Sequence, residues 1–99
     1  MRIQQQSMED NKMNIVFITD QGHGWGIVSK EQLAAARMSA ADFSQCSYQT
    51  PNGEIYALEE DCDFPKYLNK LDSMGTKYEI TDRYVDENHR DNPRSWDRI

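Results

Sequence analysis

The sequence predicts an α+β fold: a small, mostly antiparallel sheet with two helices on one face, in the order ββαββαβ. Three observations predict it. Short runs of β-branched and aromatic residues recur along the chain, two segments between them have helical spacing with capping residues, and the connections are too short for a series of parallel crossovers.

MNIVFIT, residues 13 to 19, is a continuous apolar run that suits a strand buried on both faces. Strand character resumes from Trp25 to Val28, so TDQGHGWG at 19 to 26 falls at the tip of a hairpin, its glycines supplying positive φ. Ser29 and Gln32 form a capping box for the helix KEQLAAARM, whose inner face is Leu33 with Ala36 or Arg37. Ser39 and Asp42 cap a further turn before Phe43. SQCSYQT and EIYALEE flank PNG, where Asn52 and Gly53 can take the positive φ angles of a tight hairpin. Asp61 or Asp63 caps a second helix; Pro65 fits its first turn, and Phe64, Tyr67, Leu68, Leu71 and Met74 share one face before Gly75 ends it at C′. KYEITDRYV then alternates with a period of two, the pattern of a strand with one covered face.

Ninety-nine residues make one domain, since half that length could not bury an adequate core. Residues 1–12 read as a flexible N-terminal extension, 13–85 as the single α+β domain, and 86–99 as an extended C-terminal arm docked by Trp96. Eleven basic against seventeen acidic residues give a net charge of -6, which repels phosphate backbones and anionic lipid and suits a partner with a basic surface. No run is long enough to span a membrane and the N-terminus lacks the apolar stretch of a signal peptide, so a cytoplasmic location is expected. Cys46 and Cys62, outside any C-x-x-C pattern, are expected to be free and inert thiols.

DQGHGW at 20 to 25, SY at 47 to 48 and LEEDCD at 58 to 63 resemble the pattern of an uncharacterised family of small phage, prophage and plasmid proteins. The likeness covers about residues 14 to 80, with Gln21 where that pattern has proline. It implies a mobile-element setting, in which small acidic proteins often redirect host proteins, and no particular chemistry.

His23, between glycines on a turn, suits a general base or a metal ligand. The plainer reading has the glycines shape the turn, His23 bond across the loop and Trp25 pack on the sheet. The G-x-G-x-G spacing lacks the lysine of a P-loop. Glu59, Glu60, Asp61 and Asp63 suit the positive end of a helix and exceed what one cap needs, while the D-x-D-x-D-G pattern that wraps calcium is missing. His23 and His89 are 66 residues apart, so spacing supports no transition-metal site, and nothing local activates either thiol beside His23. Tyr67 reads as core, and Tyr48 and Tyr56 as a pair across the hairpin with one exposed.

The expectation is a non-enzymatic binding protein that modulates or inhibits a host protein, such as a defence or nucleic-acid-handling protein. Its surface comprises Glu59, Glu60, Asp61, Asp63, Tyr56, His23 and Trp25, with no cofactor or metal. The alternative is a small metal-dependent or hydrolytic enzyme centred on Asp20 and His23. A third reading is a homodimer joined through strand 77–85 as an open edge.

Overall fold

In a computed structural model, residues 12–99 are described. The expected extension at 1–12 therefore lies, except for Lys12, outside the described residues. The sheet has six strands: β1 (Met13–Thr19), β2 (Gly24–Ser29), β3 (Tyr48–Gln49), β4 (Ile55–Glu59), β5 (Tyr78–Tyr84) and β6 (Asp97–Arg98). Helix α1 (Lys30–Ala35) follows β2 and α2 (Phe64–Ser73) follows β4, with single 3-10 turns at Ala40–Asp42 and Pro93–Ser95.

Spatial order is β5-β1-β2-β4-β3-β6, so the sheet is open. All pairings are antiparallel except β1 with β5, which run parallel in the register Met13↔Tyr78 to Thr19↔Tyr84. The fold is thus α+β and mostly antiparallel, with a sixth strand beyond the seven elements expected, supplied by the C-terminal arm.

Alternation along the strands divides the interior in two. On one face Ile15, Val28, Tyr56 and Leu58 meet Leu33 and Ala36 at α1 and Phe64, Tyr67 and Leu71 from α2. On the other, Ile18, Trp25, Ala57 and Val85 form a smaller cluster with Val16, Ile27, Tyr48 and Trp96. Both helices cover the first face and the chain after β5 covers part of the second. In that segment Asn92 and Pro93 are buried and Trp96 packs against the second cluster, while residues 86–90 are exposed.

Several local details differ from expectation. Helix α1 stops at Ala35 because Arg37 takes φ 60, and its N–H and that of Met38 bond back to the Ala34 and Leu33 carbonyls in a Schellman closure. Gly75, φ 72, closes α2 in the same way, as its C′ position foretold. The capping boxes Ser29–Gln32 and Ser39–Asp42 are both formed. The PNG loop spans four residues between Thr50 and Ile55, with positive φ at Gly53 and not at Asn52.

None of Gly22, Gly24 and Gly26 adopts positive φ. A Cβ on Gly24 would lie 2.5 Å from the Phe17 ring and one on Gly26 would lie 2.2 Å from Phe64. These two glycines make room for the Phe17–Phe64 stack, whose centroids are 5.5 Å apart. Strand β5 lacks the covered face its alternation suggested: Ile80 is 43% and Tyr84 61% exposed. The helices lie over β1, β2 and β4, and Tyr78 alone from β5 packs against their cluster.

Candidate functional site

The site is built by strand register. Because β2 pairs antiparallel with β4, Trp25 stands opposite Glu59, and the Gly24 carbonyl accepts from the Glu60 N–H at 3.0 Å. The DQGHGW and LEEDCD motifs, more than thirty residues apart in the chain, are therefore neighbours on the face away from the helices. β3 places Tyr48 opposite Ala57 on that same face. The chain after β5 then returns to bring up Arg94 and Arg98. Together, His23, Trp25, Cys46, Tyr48, Glu59, Asp61, Cys62, Arg94 and Arg98 line an open cleft of about 350 Å³.

Asp20 anchors one end. Its carboxylate accepts from Arg94 Nε at 2.6 Å, Arg94 Nη2 at 3.3 Å, Asn92 Nδ2 at 3.3 Å and the backbone N–H groups of Gly22 and His23, both at 2.9 Å. The Arg94 guanidinium, aided by these donors against the opposing effect of burial, holds the Asp20 carboxyl well below the usual carboxylate range. Arg94 also lies over the Trp25 ring, 5.6 Å from its centroid. The His23 ring is 6.1 Å from Trp25, and Trp25 meets Tyr48 edge-on at 6.3 Å. Trp25 is 2% exposed and its indole N–H has no acceptor among the described residues.

Asp63 anchors the other end, and here expectation is corrected. It occupies the N-cap position of α2, yet it is fully buried and its side chain makes no capping bond. One carboxylate oxygen instead accepts from the Ser44 N–H at 3.0 Å, the Ser44 hydroxyl at 2.9 Å and the Ser47 hydroxyl. Although burial opposes ionisation, these donors and nearby Lys66 lower the Asp63 pKa. Asp63 thus fastens the 44–47 loop beneath the cleft and, being buried, cannot belong to the exposed surface expected of it. Glu59 organises the next turn, its Oε1 accepting from the Asp61 and Cys62 N–H groups, each at 2.9 Å.

Tyr56 is also corrected. Facing the helices and 6% exposed, it lies on the opposite side of the sheet from the cleft. The register puts Tyr56 opposite Gln49, so the two hairpin tyrosines point to opposite faces and Tyr48 is the aromatic that lines the site. Sequence reasoning also missed Arg94 and Arg98, for which no local signal exists. Both cysteines are exposed free thiols in the cleft wall, with Cys62 Sγ donating to Cys46 Sγ at 3.5 Å.

Among the described residues, the set of three potential metal-ligand groups within 4.8 Å of one another is Glu59, Glu60 and Asp61; His23 and the thiols are not in it. None of these three carboxylates forms an ion pair with a described residue. Arg94 is held by Asp20, while Arg98 donates to the Gln45 carbonyl at 2.7 Å and lies 5.0 Å from the Tyr48 ring centroid.

The fold and site define an α+β protein with an open, mixed-charge cleft on the sheet face away from its helices. Comparison with family models, curated proteins and solved structures finds no match to this chain. No helix among the described residues is long and apolar enough to cross a membrane.

Proposed function

We propose that this protein is a non-enzymatic binding protein that engages a basic surface of a partner protein through the cleft and its acidic rim. The observation that carries this reading is the Glu59, Glu60 and Asp61 cluster, whose carboxylate oxygens lie within 4.8 Å of one another and form no ion pair with a described residue. Like charges held this close repel, and a partner's arginine or lysine relieves that repulsion as it binds. Trp25 is 2% exposed beneath Arg94, and Arg98 lies over Tyr48, so these aromatics brace the cleft floor and leave the contact with the partner's cation to the exposed carboxylates. His23 is the exposed residue at the near rim. The motif resemblance supports a host-cell protein as the partner class, modulated or inhibited by occlusion of its basic surface in the cytoplasm.

The hydrolytic alternative draws less support from the geometry. Asp20 directs its carboxylate to Arg94, Asn92 and two backbone amides, the His23 backbone among them, and is therefore committed to structure rather than to orienting the imidazole.

The test is affinity capture from host lysate with the native chain and a Glu60→Lys/Asp61→Lys double variant. These exposed side chains can be reversed without unpacking the core. Loss of a specific partner from the variant, with unchanged thermal unfolding, supports the reading; equal capture by both removes the rim from it.

A further inference from the structure

From the geometry of the cleft wall, we infer that Cys46 and Cys62 form a covalent modification site, a thiol pair that a hydroperoxide oxidises to an intramolecular disulfide. The two sulfurs are 3.5 Å apart, exposed, and borne on two segments that are both held in place by hydrogen bonds. The Cys46 N–H donates to Ser44 Oγ at 3.1 Å, and Ser44 is itself held by the Asp63 carboxylate through both its N–H and its hydroxyl. Cys62 is the residue immediately before Asp63, and its own N–H is held by Glu59 at 2.9 Å. The buried Asp63 therefore links the segments carrying the two thiols and sets the gap between them. A disulfide needs a sulfur separation of about 2.0 Å, so closure requires an approach of roughly 1.5 Å, within reach of side-chain rotation at exposed positions.

The two thiols face each other across 3.5 Å, so either sulfur can attack and the other resolve, here with Cys46 as the attacking sulfur. Deprotonated Cys46 Sγ attacks one peroxide oxygen: an S–O bond forms, the O–O bond breaks, and the departing hydroxide (alkoxide for an organic peroxide) takes up a proton. The sulfur becomes a sulfenic acid as the peroxide is reduced by two electrons. Cys62 Sγ then attacks the Cys46 sulfur, the S–S bond forms, the S–O bond breaks, and hydroxide leaves as water with the Cys62 proton. For hydrogen peroxide the sum is two thiols and one peroxide giving one disulfide and two waters.

The thiol pair lies in the wall of the same cleft, but its oxidation needs no partner, so its test uses the full chain alone. The reduced protein is treated with hydrogen peroxide, quenched at intervals, alkylated and analysed by intact and peptide mass spectrometry. The expected result is a monomer lighter by two hydrogens, with one cross-linked peptide pair joining Cys46 to Cys62, reversed by dithiothreitol. Because folding positions the thiols, the bridge forms at least about tenfold faster than in the same chain unfolded in urea. A Cys62→Ser variant stops at sulfenic or more highly oxidised Cys46. A folded rate no greater than the unfolded one, or oxidation of each thiol without an internal bridge, overturns the proposal. Disulfide-linked dimers as the main product overturn it equally.

Discussion

Gly26 lies where the Phe64 ring crosses β2, and a Cβ there would meet ring carbons at 2.2 Å, closer than any side chain can come. Gly26→Ala is expected to destabilise the fold by about 1 to 3 kcal/mol through overpacking, whereas Gly22→Ala, whose Cβ would lie 3.6 Å from Arg94, stays within about 0.5 kcal/mol. Urea unfolding of the two variants checks the contrast. Asp20 acts at the same scale. Its carboxyl and that of Asp63 ionise more readily in the folded than in the unfolded chain. Their contribution is therefore fully present above the unfolded carboxylate range near pH ~4 and is lost as pH falls below it toward their lower folded values. Asp20→Asn is expected to lower stability at neutral pH by about 1 to 2 kcal/mol, Arg94 being partly solvated, and to flatten the loss between pH ~4 and ~2. Thermal unfolding across that range measures both effects. The importance of Asp20 was legible in its motif, but its role was not, because Arg94 is 74 positions away and only the folded chain brings them together.

At the scale of elements, local chemistry was legible wherever the stabilising groups are neighbours in sequence. Ser29 with Gln32 and Gly75 at C′ are of this kind. The end of α1 was not legible, because Arg37 gives no stop signal and yet occupies the left-handed region, at φ 60, that glycine normally fills. Arg37→Gly should relieve that strain and raise stability by about 0.5 to 1 kcal/mol; chemical denaturation reads the change. Strand β5 misled for a different reason. Its period of two marks a pleated strand truthfully, but which face is covered depends on where the helices lie, and they leave Ile80 and Tyr84 open. Tyr56 was misplaced because register, and not proximity along a hairpin, decides which face a side chain joins.

For the whole molecule, the last fourteen residues decide how much of the second face of the sheet is covered. Asn92 and Pro93 are buried there, Arg94 satisfies Asp20, and β6 extends the sheet beyond β3. No periodicity announced this, since the segment docks through scattered contacts, Asn92 and Arg94 on Asp20 and Trp96 on the second cluster. Truncation after Val85 leaves Asp20 without its cation and is expected to cost about 3 to 5 kcal/mol, enough to blunt cooperative unfolding. Trp25 is then the remaining tryptophan, and its emission reports the exposure directly. The two motifs meet because β2 and β4 pair, and the proposed binding role rests on the acidic rim where they join. The most direct measurement is amide chemical-shift mapping during titration with an oligolysine peptide, repeated with the Glu60→Lys/Asp61→Lys variant. The expected result is a set of salt-sensitive shifts concentrated at residues 23–25, 46–48 and 59–62 that vanish in the variant. Shifts of equal size spread over the acidic surface, β5 included, and unchanged in the variant would contradict it.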